Sequence, residues 1–453
     1  MNLGIDDIKK VLISNRLLAG NIAGVLILKG LGLILSLFSM PLYIDYFHNQ
    51  SVLGVWFTVL SVVNWIISFD LGVGNGVRNN LTIAISQNDR TRMRQVISSG
   101  YFILGLVTIV LLAVVLAVST YVEWNAFFNV SEDVIPAESL RKAVVITLCG
   151  LFFSFFLRLI TSVNSAIQYP AINNVVTFIT SLLLIVWLLV SPSMDDPVEN
   201  MMRMALAYCF IVNIPLLVTT IITFSLSILD GCYPSIRFIE RNAAKGVIQV
   251  GMLFFILQLL FMVINVTNEW FVSKFFSPDD VVVYQIYNRL FQVMTTIFML
   301  ILLPIVAAIT KAYAEGRIGW INKVKRVLYI FTAAVSVIQI LLAVCLQPIV
   351  NIWLMDRAIT VNYTVAAVFV FTSITGIWVS VQSAIVTGLN KLNLQLVFFL
   401  IAVPVKIALI LMGCRYSMSW VIVVLSTGLC LLPYGIVQPF AIEKLLKDVP
   451  TDK

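Results

Sequence analysis

The chain has 453 residues, 60% of them hydrophobic and 11% charged, with a formal net charge of +7 and a mean hydropathy of +1.01. A water-soluble protein carries about 25% charged residues, so a wholly water-facing surface is excluded and the chain reads as a polytopic membrane protein whose solvent is the lipid bilayer. The basic excess belongs to loops that resist translocation rather than to nucleic-acid binding, and six scattered cysteines with the single His48 offer neither a disulfide framework nor a metal set.

The first residues, "MNLGIDDIKKVLISNRLLAG", are polar and mixed in charge, and they read as an uncleaved cytoplasmic start. From there the apolar windows predict an all-α fold of twelve transmembrane helices. These lie near 18–44, 52–85, 96–120, 143–168, 172–191, 202–227, 246–272, 281–312, 327–350, 364–389, 394–412 and 418–441. Several exceed the roughly 20 residues that a span needs and are expected to tilt. With the N-terminus inside, the inner segments hold Lys9, Lys10, Arg16; Arg90, Arg92, Arg94; Arg237, Arg241, Lys245; Lys311, Arg317, Lys323, Lys325, Arg326; Lys391; and Lys444, Lys447, Lys453. The outer segments hold Arg141, Lys142, Arg203, Lys274, Arg357 and Arg415. The bias is roughly three to one and places both termini in the cytoplasm. The longest expected loops, 121–142 outside and 228–245 inside, are too short to fold as domains, so function is expected within the membrane.

The two halves resemble one another. The segment from Tyr46 to Arg90 parallels that from Phe275 to Arg317, and a Ser-Ala-Ile at 165–167 is matched at 383–385. An offset of six spans makes the repeats parallel, as in two-lobed transporters. The expected division is an N-terminal lobe over 1–227, a connecting loop over 228–245 and a C-terminal lobe over 246–453.

Against this apolar background, charged residues inside spans stand out. Lys29, Arg78, Arg158, Arg289 and Lys406 are basic, Asp70 is acidic, and Glu269 lies near an outer span end. Each central charge costs roughly 2.5–3.5 kcal/mol on insertion scales. Lys29, Arg158 and Lys406 fall near mid-membrane by helical rise, whereas Arg78 and Arg289 are nearer span ends, where snorkelling to the headgroups is the plain alternative. For the three central residues, snorkelling and a structural ion pair are the alternatives to a water-filled, ligand-facing position. The sign is uneven, since one or two acids cannot neutralise five bases. Such an excess suits an anion and repels a cation, and the arginine fork suits phosphate. Asn64, Asn164, Gln168, Asn265 and Gln382 are polar span residues with two readings, helix packing or contact with sugar.

The stretch "SFDLGVGNGVRNN" concentrates the polar residues. Asp70, Gly74 and Arg78 share one helix face at i, i+4 and i+8, while Gly72 and Gly76 offer close helix approach on another. Asp70 either pairs with a basic group or binds H⁺ or Na⁺. Together with "SAIQYPAINN", this string resembles the Wzx-type oligosaccharide flippases of the multidrug/oligosaccharidyl-lipid/polysaccharide exporter superfamily. The resemblance implies two pseudo-symmetric six-helix bundles around a central cavity in a bacterial inner membrane. It implies alternating access, coupled to H⁺ or Na⁺ and without a cofactor, that carries undecaprenyl-pyrophosphate-linked oligosaccharide repeat units from the cytoplasmic to the periplasmic leaflet for O-antigen or capsule assembly. Polysaccharide polymerase and chain-length machinery would be its partners. Through the motif only Asp70 and Arg78 carry over. Lys29, Arg158, Arg289 and Lys406 rest on the charge argument for the pyrophosphate, and Glu269 on its position as a possible counter-charge or coupling site. The alternatives are a cation-coupled multidrug exporter, which would want an acidic cavity, and a membrane polymerase or acyltransferase, which would want a catalytic constellation.

Overall fold

A backbone in lipid has no water to bond, so each spanning segment must close its hydrogen bonds within itself. A computed structural model describes residues 16–68, 73–167, 169–229, 231–240 and 252–447, and among these the regular structure is helical throughout. The first half contains α1 (Arg16–Phe47), α2 (Gln50–Ser68), α3 (Val73–Ser86), α4 (Arg90–Val118), the short α5 (Trp124–Phe128), α6 (Ala137–Leu157), α7 (Leu159–Ala166), α8 (Pro170–Val190) and α9 (Pro197–Phe224). The second contains α10 (Met252–Asn265), α11 (Asn268–Phe275), α12 (Pro278–Ala314), α13 (Ile318–Val344), α14 (Leu346–Leu354), α15 (Tyr363–Gly388), α16 (Asn393–Arg415) and α17 (Val421–Lys447). Each of the twelve expected windows holds helix. Among the described residues nine helices are long and apolar enough to cross a membrane, and the pair α10–α11, bent by 45°, brings the number to ten.

Local chemistry sets the helix ends. Asp89 accepts from the Arg92 amide at 2.9 Å to cap α4, and Asp196 accepts from Val198 at 2.9 Å to cap α9 ahead of Pro197. Asn362 does the same for α15 through Thr364, also at 2.9 Å. Turns between helices use left-handed residues, including Asn88 at φ 53° and Asn390 at φ 53°, where asparagine is tolerated best among residues with a Cβ.

The chain divides into two compact units. The first comprises 1–42, 69–123 and 137–255, and the second 43–68, 124–136 and 256–453. By packing, therefore, 43–68 and 124–136 belong with the C-terminal half, although chain order would place them in the first lobe. Hydropathy registers which segments are apolar and not which neighbours they choose.

In the first unit α6 and α9 form the spine. Gly150 lets them touch, since a Cβ there would sit 2.5 Å from Cys209 Sγ, and Asn213 Nδ2 donates to the buried Gly150 carbonyl at 2.8 Å. In the span running through α6 and α7, 67% of the most apolar window is buried, against 11% for α8, so α8 presents its apolar side chains to lipid. The connecting segment is tied to α4. Arg94 Nε donates to Gly231 O at 2.7 Å, and Arg92 pairs with Glu240 at 3.2 Å. In the second unit α15 packs on α12, α13 and α17, and α2 packs on α12 where Gly54 leaves room for the Pro278 carbonyl.

The Ser-Ala-Ile repeats occupy matching places. Each lies near the C-terminal end of a helix, and each is preceded by a fully buried carboxamide, Asn164 or Gln382. Asn164 Oδ1 accepts from Thr223 Oγ1 at 2.7 Å, and Gln382 Oε1 accepts from the Tyr329 hydroxyl at 3.3 Å. Both are packing residues.

Candidate functional site

The charged residues expected to form a site divide between the units. Lys29, Arg78 and Arg158 belong to the first, and Arg289, Lys406 and Glu269 to the second. Asp70 and Gly72 lie outside the described residues, as do Gln168 and the side chain of Asn64.

In the first unit Lys29 is half-buried on α1, whereas Arg78 and Arg158 are exposed. Arg158 occupies the single-residue break between α6 and α7, where its carbonyl accepts from Thr161 Oγ1 at 2.8 Å. Its side chain lies in electrostatic range of Tyr208. Arg78 Nε reaches Asn79 Oδ1 at 3.4 Å, a long contact that leaves most of the guanidinium uncommitted to side chains of its own helix. Because α3 packs along α7, Arg78 and Arg158 stand on adjacent elements.

In the second unit Arg289 is half-buried, with its guanidinium 5.4 Å from the centre of the Phe57 ring, a cation–π contact.

Lys406 departs from the expectation of a phosphate ligand. It is fully enclosed, and its ammonium donates to Ile264 O at 2.6 Å, Asn268 Oδ1 at 2.7 Å and Val263 O at 3.2 Å, with Thr267 Oγ1 at 3.4 Å. An ammonium has three hydrogens, and all are engaged by protein oxygens. The physical reason is the break between α10 and α11. A bend frees carbonyls at the end of α10, and in lipid these need donors from elsewhere. Lys406 reaches in from α16, while Trp65 Nε1 and Ser61 Oγ from α2 serve Val266 O at 2.8 and 2.9 Å. The break sequence Asn265-Val266-Thr267-Asn268 contains no proline or glycine, so a search for helix breakers misses it. Two asparagines and a threonine within an apolar run were the available signal.

Glu269 opens α11. Its carboxyl group receives Gln285 Nε2 at 3.0 Å and lies 3.2 Å from Ser61 Oγ. Among the described residues it is in no ion pair. The Ser61 hydroxyl has one hydrogen and two oxygens in reach, Val266 O and Glu269 Oε2, so it serves one at a time.

Next to the Lys406 cage lies an uncharged cleft of about 110 Å³ within the second unit. Asn265 and Asn268 contribute from either side of the break. Tyr284, Asn288, Phe291, Gln292 and Thr295 line it from one face of α12 at i, i+4, i+7, i+8 and i+11. Phe369, Thr372, Ser373 and Gly376 line it from α15, and Val424 and Thr427 from α17. None of these side chains is charged. Lys406 lies behind the wall and acts on it through Asn268. Its ammonium donates to Asn268 Oδ1 at 2.7 Å, which fixes the orientation of that carboxamide, and the Thr427 hydroxyl beside it has one hydrogen to share among Val423 O at 3.1 Å, Asn268 Oδ1 at 3.2 Å and Ile264 O at 3.4 Å. Of this set only Asn265 is among the residues expected from the sequence, because neutral amides on α12 carry no insertion penalty that sets them apart. A second cavity of about 480 Å³ in the same unit is lined by His48, Asn49, Gln50 and the ion pair of Asp45 with Arg357.

No protein-family model matches the chain, and no curated protein sequence matches it. Solved structures do. The lipid II flippase MurJ in an inward closed conformation superposes with a TM-score of 0.72 at 15% identity, over 92% of this chain and 87% of that one. A multidrug resistance MATE family transporter of the MOP superfamily, inward-facing, gives 0.70 at 13% identity over 92% and 96%. The Vibrio cholerae MATE transporter VcmN gives 0.62 at 13% identity over 95% and 98%. The chain therefore has the helical fold shared by MATE transporters and MurJ, along nearly its whole length.

Proposed function

We propose that the protein is a flippase that moves a polyprenyl-pyrophosphate-linked oligosaccharide, an undecaprenyl-linked repeat unit, from the cytoplasmic to the periplasmic leaflet of a bacterial inner membrane. The observation that carries the reading is the sign of the charge within the spans: basic residues outnumber acids, and Arg78 and Arg158 are exposed on adjacent elements of one unit. Two planar guanidinium groups suit the paired phosphates of a pyrophosphate. Lys29, half-buried on α1, adds to the same field, and Arg289 serves the second unit. The likeness of the fold to a lipid II flippase supports the substrate class. Transport proceeds by alternating access and is coupled to H⁺ or Na⁺ through Asp70 or Glu269. The Ser61 hydroxyl, shared between Val266 O and the Glu269 carboxyl group, provides two hydrogen-bond arrangements that such coupling would use.

The test is reconstitution in proteoliposomes. The wild type is expected to move a fluorescent pyrophosphate-linked oligosaccharide lipid across the bilayer, and the charge reversals Arg78→Glu and Arg158→Glu to slow it at least tenfold while the protein stays folded. Undiminished movement in both variants rejects the anion site. The second reading, a cation-coupled multidrug exporter, is favoured by the likeness to MATE transporters and opposed by the basic spans. Under it, cells expressing the protein would gain resistance to cationic dyes.

A further inference from the structure

The cleft of the second unit has a chemistry that neither ion coupling nor pyrophosphate binding uses. It is about 110 Å³ and its lining is uncharged: carboxamides, hydroxyls and the rings of Tyr284, Phe291 and Phe369. A phosphate would want a cation and a cationic drug a carboxylate, and neither lines the cleft. A purely apolar ligand would leave the amides dehydrated without partners, at a cost of about 1–3 kcal/mol for each buried group. Amides that both donate and accept, beside flat apolar rings, match a molecule whose edge carries hydroxyls and whose faces carry C–H groups.

Several of these groups have capacity left over. Asn288 Oδ1 receives Gln292 Nε2 at 3.4 Å, a long contact, and among the described residues the Asn288 Nδ2 hydrogens and Gln292 Oε1 have no partner. Asn268 has its oxygen engaged by Lys406, which leaves its amino group for the Tyr284 hydroxyl at 3.5 Å and for the cleft. Ser373 is held in place by Gln339 Nε2 at 2.8 Å and shares a 3.2 Å hydroxyl contact with Thr295.

Gly376 supplies an independent sign that the space is kept open. Other glycines of α15 and α17 are explained by packing, since a Cβ at Gly388, Gly428 or Gly435 would meet a neighbour at 2.6–3.1 Å. At Gly376 an added Cβ meets nothing within 4 Å. A glycine inside a helix costs about 0.5–1 kcal/mol relative to alanine. At this position no close contact requires it, and its effect is to widen the cleft.

We infer that this cleft is a carbohydrate subsite that receives an uncharged sugar ring, with Asn268, Asn288 and Gln292 as its hydrogen-bonding groups. The inference deepens the flippase reading, on which it rests for the source of the sugar, but the site itself can be tested without transport. Wild-type protein in phospholipid nanodiscs, free of glycosidic detergent, is mixed with glucose, galactose or N-acetylglucosamine, and saturation transfer from protein to ring protons is recorded by NMR. Transfer is expected for at least one of these sugars. It should fall at least fivefold in Gly376→Leu, which fills the open space, and in Asn288→Ala, with melting temperatures close to wild type. No transfer in the wild type, or equal transfer in folded Gly376→Leu, overturns the inference. Failure of the flippase reading looks different: sugar binding that Gly376→Leu abolishes, in a protein that moves no lipid-linked oligosaccharide in proteoliposomes.

Discussion

Lys406 shows how far a charge count can carry at the scale of one residue. Its depth in the span disfavours a lipid-facing position, because a charge at mid-membrane costs roughly 2.5–3.5 kcal/mol on insertion scales. What it faces depends on a bend 140 residues away in sequence, and no local pattern around Lys406 encodes that bend. The partners found there, two backbone carbonyls and an asparagine oxygen, make it a strut for the α10–α11 break. Lys406→Met keeps the length and removes the donors. The remaining hydroxyls, Thr267 on Val263 O at 2.6 Å and Thr427 on Ile264 O at 3.4 Å, compensate only in part. The expected loss is on the order of 2–4 kcal/mol, from buried acceptors left without a full set of donors, and it should appear as a lower melting temperature in nanodiscs. Lys406→Arg should not rescue it, since a planar fork cannot occupy a cage closed around a point-like ammonium. A melting temperature unchanged in Lys406→Met would mean that the ammonium contributes no net stability.

At the scale of elements, two glycines make opposite forecasts. Gly150 sits where α6 and α9 touch, and a Cβ there would lie 2.5 Å from Cys209 Sγ and 3.0 Å from its Cα. The second distance is to backbone, so rotating a side chain does not relieve it. Gly150→Ala is expected to destabilise by about 1–3 kcal/mol as overpacking and to stretch the Asn213 bond to the Gly150 carbonyl. Gly376→Ala, on an open wall, is expected to be neutral or to stabilise by up to about 1 kcal/mol through helix propensity. Thermal melts of the two variants check both signs. The sequence shows two glycines in two apolar helices, and nothing local separates them; contact with a partner helix does. The same limit governs the breaks. The helices themselves are legible, because apolar length and the caps Asp89, Asp196 and Asn362 announce them. The interruptions at Arg158 and at Val266-Thr267 are not, since neither contains proline or glycine and the freed carbonyls are satisfied by residues distant in the chain.

At the scale of the whole molecule, the uneven sign of the intramembrane charges is the property that most separates an anion carrier from a cation exporter on a shared fold, and it was legible in composition and position alone. Its consequence can be measured without a lipid substrate. Inorganic pyrophosphate carries the head-group charge and lacks the tail, so its binding isolates the electrostatic contribution. A ligand that binds only the native state raises the apparent stability by an amount set by its concentration over its dissociation constant. The wild type in nanodiscs is therefore expected to melt at a higher temperature with increasing pyrophosphate, and the shift should shrink as salt screens the exposed charges. Arg78→Gln and Arg158→Gln each remove a charge-assisted hydrogen-bond donor worth about 1.5–3 kcal/mol, which corresponds to a dissociation constant raised about 10- to 150-fold. Arg289→Gln is different in kind. Its guanidinium lies over Phe57 in the second unit, so the unliganded melting temperature should fall along with any weakening of pyrophosphate binding. A pyrophosphate shift that persists at full size in both Arg78→Gln and Arg158→Gln would remove these two arginines from the anion path and place the binding elsewhere.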